Sequence, residues 1–518
     1  AGETPPATPP APAEPTGPAV DRRLVGTLVA TGHQSVEFTN DDGQIAAWVL
    51  DEPQYRARVK AEGDAPPSEV PFRFVDLLPE KPEPHQKGIF LPPLIDLQLA
   101  GAPALGEYTV AEQSKKSLRL VWTDPQSGVE VTRSYTLGDS YTVNATVTLK
   151  NPGATAVPYD LSARLRGAQN DSQTGGGLFS PPIYLFEVVC KRAEKFERLP
   201  AKKIVGHIED NEPVRWTDGI GWAGVDNRYF MTALAAEPGA LEACEAESSR
   251  EGVPPGYTRL TARVDMAGGE IAPGASVERT VTLYAGPKKL SDLRTINPPL
   301  DSAIDFGFFS VICVPMLWLM RAFYGFVGNW GVAIVLLTLL VKLLTLPLTF
   351  KQYKSMAAMK ILQPQMKALQ AKYKEDKVKL QQEMMKLYRE HKVNPLAGCL
   401  PMVMMMPIYF ALYRTIYSAV ELYQADLGGW IHDLSQPDPT YITPLVLGVL
   451  MFVQMRLNPS AGDQAQQKIL QYMMPVMFTV MMLWLPSGLV VYILVNTLLG
   501  IGQQYYMYRR PQAAPAKG

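Results

Sequence analysis

The chain reads as two domains of different class. An all-β domain covers residues 21–300, and an α-helical membrane domain of five spans with a cytoplasmic helical hairpin follows it. Three observations predict this. Segments such as Val129–Leu149 alternate apolar and polar residues around a Gly-Asp turn, as a β-hairpin with one buried face does. Apolar runs of membrane length gather in the second half, led by Trp330–Phe350. Charge divides at the same place: from Asp301 onward 19 Lys/Arg face 11 Asp/Glu, while the residues before it carry 30 against 39. A net charge of −1 therefore hides an acidic soluble module joined to a basic membrane module.

Residues 1–20 form a Pro/Ala-rich linker with nothing to bury. A linker that opens a chain without Met implies that a signal peptide or a first anchor helix preceded it. From Asp21 to Pro299, strands such as Ser276–Tyr284 recur between Gly, Pro, Asn and Asp, which points to a sandwich of antiparallel sheets. The charged stretch Lys191–Lys203 reads as a loop or edge. Cys190 and Cys244 are able to pair in an oxidising compartment, provided that the fold brings them together. His33, His85 and His207 lie far apart in sequence and suggest no catalytic set. No CxxC spacing, P-loop or Gly-rich dinucleotide motif is present, so the residues call for no metal or nucleotide cofactor and no enzyme chemistry.

Residues 301–327 read as an interfacial helix, because Phe306–Met320 is short, holds Pro315 and is followed by Arg321. The membrane core covers residues 328–510. Its expected spans are Trp330–Phe350, Leu396–Val420, Tyr441–Leu457, Tyr472–Leu485 and Leu489–Gly502. The loop Lys351–Lys392 holds 11 Lys/Arg and only four Asp/Glu, which puts it in the cytoplasm. Glu421–Thr440 has four acids and no Lys or Arg, so it lies outside. Alternation then places the β domain outside, in the periplasm of a bacterial inner membrane, and the 511–518 tail inside.

Within the basic loop, apolar residues at Met356, Met359, Leu362, Met366, Leu369 and Tyr373 recur at helical spacing. Lys377–Glu390 makes a second helix with Leu380, Met384 and Leu387 on one face. The pair predicts a hairpin with a methionine-rich seam. It is either a plain antiparallel pair or a basic, adaptable surface for an acidic or RNA-bearing partner or for lipid headgroups. Methionine-rich spans such as Met402–Met406 are either ordinary packing or a soft surface for apolar clients.

Lys342 sits well inside the first span, roughly 12 Å from its Phe350 end at about 1.5 Å per residue. An ammonium at that depth costs about 3 kcal/mol on insertion scales unless it finds water or a partner. Two readings stay open: the side chain snorkels to the interface, or it faces a wet cavity inside the protein. Thr338 and Thr345 lie on the same helical face and extend it into a polar stripe.

The membrane half resembles the YidC/Oxa1/Alb3 insertase family over about Asp305–Arg510. The pieces run in order: Asn329-Trp330-Gly331, Pro347-Leu348-Thr349, Leu362-Gln363-Pro364, Gln382-Glu383-Met384-Met385, Val393-Asn394-Pro395-Leu396, Met406-Pro407-Ile408, Trp430-Ile431-His432-Asp433-Leu434, Leu485-Pro486-Ser487-Gly488-Leu489 and Gln503-Gln504. The first half resembles the periplasmic β-supersandwich of the Gram-negative YidC branch, with Gly221-Trp222 and Tyr229-Phe230 as weaker motifs.

The resemblance implies an insertase and folding chaperone for inner-membrane proteins, working alone or with the Sec translocon. It implies a polar groove open to the cytoplasm and closed to the periplasm, with one positive residue that attracts client tails. Lys342 matches that residue, which in the family is most often Arg; Lys keeps the charge but loses the bidentate fork. Thr338 and Tyr492 match groove positions, and Thr345 continues the stripe. The hairpin with Met356, Met359, Met366 and Met384 matches the client-recruitment element. The implied partners are nascent membrane proteins, the Sec translocon, the ribosome and lipids; the short tail makes a small ribosome contact.

Two other functions fit some of these residues. A small-solute transporter or channel would use Lys342 as an anion site, although no internal repeat is visible. A carbohydrate-acting β-sandwich would need a carboxylate or His site, which the scattered histidines do not supply.

Overall fold

The computed structural model describes residues 23–59, 68–75, 88–174, 185–193, 195–209, 214–373, 376–391, 396–457 and 464–509. The chain divides into two compact units, the first ending at Ile304 and the second starting at Asp305. The linker at residues 1–20 and the 511–518 tail lie outside the described residues.

The first unit is built from antiparallel sheets. The expected hairpin forms: strand Glu130–Leu137 pairs with Thr142–Lys150 from Glu130↔Lys150 to Leu137↔Val143. Alternate residues of both strands are buried, because period-two apolar patterning places one face on the core. Thr142–Lys150 pairs on its other side with Ser276–Pro287. The long strand Val157–Asn170 lies between Gly88–Leu99 and Tyr257–Met266 in the same sheet. Trp48, Tyr108, Tyr141, Phe90, Phe186 and Trp222 are fully buried and fill the space between the layers. Gly167 lets Phe186 approach: a Cβ there would lie 2.6 Å from the ring.

Of the two readings of Lys191–Lys203, loop or edge, the structure gives the edge. Glu187–Arg192 and Phe196–Pro200 pair as strands and lead into the helix α1, Ala201–Glu209. Charged residues are accommodated because Phe196–Pro200 pairs on one side only and its side chains find ionic partners. Arg198 donates to Glu187, to Asp226 at 3.1 Å and to the Ala303 carbonyl at 2.8 Å. Lys288 donates to the other oxygen of Asp226 at 2.8 Å and to the same carbonyl at 3.1 Å. Burial holds the Lys288 ammonium below the usual lysine range, and the adjacent carboxylate opposes that shift. The short helix α2, Leu290–Leu293, precedes this end of the unit. Cys190 and Cys244 are both buried and are free thiols in this structure. His33 pairs with Glu52 at 2.6 Å and stacks on Tyr141. His85 lies outside the described residues, as does the side chain of His207.

The second unit is helical. Its helices are α3 (Ser310–Val327), α4 (Trp330–Lys372), α5 (Lys377–Glu390), α6 (Leu396–Ser418), α7 (Ile442–Leu457), α8 (Gln464–Met482) and α9 (Ser487–Arg509). Among the described residues, Gly307–Val327, Trp330–Phe350 and Ser487–Met507 are long and apolar enough to cross a membrane. Ile442–Leu457 and Tyr472–Met482 are shorter apolar helices. The helix ends within the expected 301–327 bounds, but its apolar stretch is longer than Phe306–Met320. Arg321 does not end the helix, because its guanidinium is paired with Glu421 and the chain continues apolar to Val327.

A second difference concerns α4. The span and the first hairpin helix are a single helix of 43 residues that runs through Pro347 and Pro364. Asn329 caps its start by accepting from the Val332 amide at 3.0 Å, which satisfies one of the orphan N–H groups. Asp376 does the same for α5 through Lys379.

Candidate functional site

Lys342 lies on α4 and is half-buried among helices. Its Nζ donates to Asn496 Oδ1 of α9 at 3.2 Å. The phenol of Tyr409 on α6 lies beside the Asn496 carboxamide. Gly500, one turn beyond Asn496, permits the approach: a Cβ there would lie 2.8 Å from Gln454 Nε2 of α7 and 3.8 Å from Lys342 Nζ. Four helices thus bring one ammonium, two carboxamides and one phenol together. Among the described residues, no carboxylate forms a salt bridge with Lys342. The group carries a net positive charge that its neighbours solvate without cancelling.

The predicted stripe is only partly a polar lining. Thr338 is buried, and its hydroxyl donates to Ile334 O of its own helix at 2.7 Å. Thr345 donates to Val341 O at 2.9 Å, and Thr349 to Thr345 O at 2.8 Å. These hydroxyl protons are spent on backbone one turn earlier, the local alternative open to any Ser or Thr in a helix. Tyr492 is buried on α9 one turn before Asn496, next to Tyr409. The sequence reading missed Asn496, Tyr409 and Gln454. A signal was present for one of them, since an Asn inside the apolar run Leu489–Gly502 is itself an intramembrane polar residue.

One end of this helical unit is closed by residues 419–441. Asn329 Nδ2 donates to the carbonyls of Asp426 and Leu427. Leu427 sits against Gly331, where a Cβ would lie 2.0 Å from its Cδ1. Ser487 N donates to Gln436 O at 2.7 Å and Gly488 N to Leu434 O at 2.9 Å, so the start of α9 is stitched to the same segment. Asp438 organises it from within. Its carboxylate accepts from the amides and hydroxyls of both Thr440 and Thr443, which holds its pKa down at about 2 against the opposing pull of burial.

At the other end of α4, Leu362 and Met366 pack on Leu387 of α5, with Leu369, Met384 and Tyr388 around them. Met366 and Met384 thus share one seam. Met356 and Met359 lie on α4, and their side chains are outside the described residues. The cleft between the two helices has a volume of about 350 Å³ and is lined by Lys372, Lys386, Glu383 and Glu390 as well as Gln365 and Leu369. The four charges that line this cleft balance.

No group of His, Cys, Asp and Glu that would hold a metal ion occurs among the described residues. Residues 322–514 match the sequence model described as 60Kd inner membrane protein, and residues 101–319 match that of the YidC periplasmic domain. A protein named Membrane protein insertase YidC from Anaeromyxobacter sp. (strain Fw109-5) is 39% identical over 350 residues, covering 67% of this chain and 61% of that relative. One of the same name from Cupriavidus metallidurans is 38% identical over 410 residues, covering 78% and 71%. The chain therefore spans less than two thirds of the first relative's length. A solved structure titled "Active YidC insertase crystal structure with the first transmembrane domain resolved" is 18% identical at a TM-score of 0.37, with 94% of this chain and 95% of that chain covered.

Proposed function

Because this chain belongs to the YidC family of membrane protein insertases, we propose that it inserts client helices into the inner membrane past the Lys342 cluster. The observation that carries this reading is the uncancelled ammonium of Lys342, held among helices by neutral partners. A hydrophilic client tail faces a hydrocarbon layer roughly 30 Å thick. Moving its charges through that layer is prohibitive unless the dry path is shortened or the charge is solvated on the way. A fixed cation lowers the energy of an acidic tail, and the client's apolar helix then leaves into lipid under the hydrophobic effect alone. No nucleotide is needed.

In this reading residues 419–441 face the periplasm and close the outer end of the groove. Lys342, Thr338, Thr345 and Tyr492 line the client path. The α4–α5 hairpin, with Met356, Met359, Met366 and Met384, receives clients on the cytoplasmic side. Five spans with α3 at the interface, a periplasmic β domain and a cytoplasmic tail complete the topology. Folding of clients, cooperation with the Sec translocon and contact with the ribosome and lipids belong to the same proposal.

The test is a photo-crosslinker in place of Tyr492, a residue of similar size, with a stalled single-span client in membranes. Lys342→Ala is assayed alongside, with the client's tail acidic or neutralised. Crosslinking, with an insertion defect confined to the acidic tail, is the expected result. No crosslink with normal insertion, or anion flux through liposomes carrying the protein, would replace this reading with a transporter.

A further inference from the structure

We propose that Asn496 is a positioning residue that keeps Lys342 available as an uncancelled cation, and that it thereby sets the preference for acidic client tails. The proposal rests on the insertase reading above. Three observations carry it. The Lys342 ammonium has a side-chain acceptor in Asn496, 154 residues away in sequence and 3.2 Å away in space. That acceptor has a second polar neighbour, because the Tyr409 phenol of a third helix lies beside its carboxamide. And Gly500 leaves space on the same face of α9, with Gln454 Nε2 and Lys342 Nζ both next to it.

The chemistry explains why an amide stands here. A lysine is a point charge on a four-carbon stem and, unlike arginine, has no planar fork to fix its direction. Without a tether, the ammonium would swing toward the nearest water. A carboxylate at position 496 would tether it more strongly but would cancel the charge that a client tail is to meet. A carboxamide accepts a charge-assisted hydrogen bond and leaves the net charge at +1. The Tyr409 phenol beside it limits how far the amide can rotate away. Asn496 thus separates two properties that an ion pair would merge: where the cation sits, and whether it remains a cation.

The experiment uses the full chain in membranes and two versions of one single-span client, with an acidic tail and with that tail neutralised to Asn and Gln. The readout is the ratio of the two insertion yields. Asn496→Asp keeps the size of the side chain and places a carboxylate against the ammonium. It is expected to cut the ratio by about tenfold, the scale of one charge-assisted interaction, while the neutral tail inserts as before. Asn496→Gln keeps the amide and is expected to retain most of the preference. Asn496→Leu is expected to release the ammonium, so that Lys342 reacts faster with a water-soluble amine-acylating reagent. An unchanged ratio in Asn496→Asp overturns the proposal. So does equal loss for both tails in Asn496→Asp with unchanged Lys342 labelling in Asn496→Leu, since that marks a purely structural role. Lys342→Ala in parallel separates the two levels. If it leaves the ratio intact, the insertase reading of Lys342 fails; if it abolishes the ratio while Asn496→Asp does not, only the role of Asn496 fails.

Discussion

Each unit of this protein encloses a lysine, and the two are treated in opposite ways. Lys288 in the β unit is almost fully buried, meets Asp226 at 2.8 Å and shares that carboxylate with Arg198. Lys342 in the helical unit is half-buried and, among the described residues, meets only neutral groups, Asn496 foremost. The first is a charge that the fold neutralises in order to bind its own segment near Ala303. The second is a charge that the fold keeps. A buried cation with a carboxylate partner belongs to structure, whereas one solvated by amides and phenols is free to act on something that arrives from outside.

The comparison is broken most forcefully at Asp226. Asp226→Ala leaves Lys288 and Arg198 buried against each other, and losses of about 3–5 kcal/mol follow when one partner of a buried pair is removed. The urea midpoint of the β unit's unfolding in the full-length chain measures this. Lys342→Met tests the opposite case. It removes a charge that has no ionic partner among the described residues, so stability of the helical unit in detergent is expected to stay level or rise by roughly 1–2 kcal/mol, while insertion of an acidic-tailed client falls. A loss of stability comparable to that of Asp226→Ala would erase the distinction between the two lysines.

Two aspartates sharpen the contrast through pH. Asp42 of the β unit is pushed up to about 6, first by burial, against the amide of Gly106 that donates to it. Its folded pKa exceeds the unfolded value of about 3.9, so the folded state holds the extra proton and stability falls as pH rises from about 4 through 6. Asp438, held at about 2 by its donors, has the opposite sign. Its contribution is complete above about 3.9 and is lost as pH falls toward 2. Urea midpoints against pH are expected to lose the first slope in Asp42→Asn and the second in Asp438→Asn.

The smallest effect is expected at Thr338. Its hydroxyl serves Ile334 O, which already has a place in the helix ladder, so Thr338→Val, nearly equal in volume, changes stability by less than about 1 kcal/mol. Insertion yields of acidic and neutral tails are expected to match wild type. A selective defect would show that the Thr338 hydroxyl itself, and not only its position along the client path, acts on the tail.

Much of this was legible along the chain. Period-two patterning marked the 130–150 hairpin, since burial of one face demands it, and helical spacing marked Lys377–Glu390 to the residue. An isolated Lys inside an apolar run marked a position that needed an explanation, because a charge there stands out before any of its neighbours is known. Other features depended on residues distant in sequence. The apolar continuity of α3 past Arg321 was hidden because that charge reads as a stop until Glu421, 100 residues later, pairs with it. The continuity of α4 through Pro347 and Pro364 was hidden because each proline removes only its own hydrogen bond, and the surrounding turns decide whether the helix survives. The meeting of Lys342 with Asn496 and Tyr409 was hidden because which faces of α4, α6 and α9 meet is a property of packing, with no periodic trace in any one helix. Composition and periodicity by themselves determined two domains, their class and the residue whose charge needs a purpose. Only the tertiary structure decided whether that charge is cancelled, because a counter-ion is a matter of distance in space.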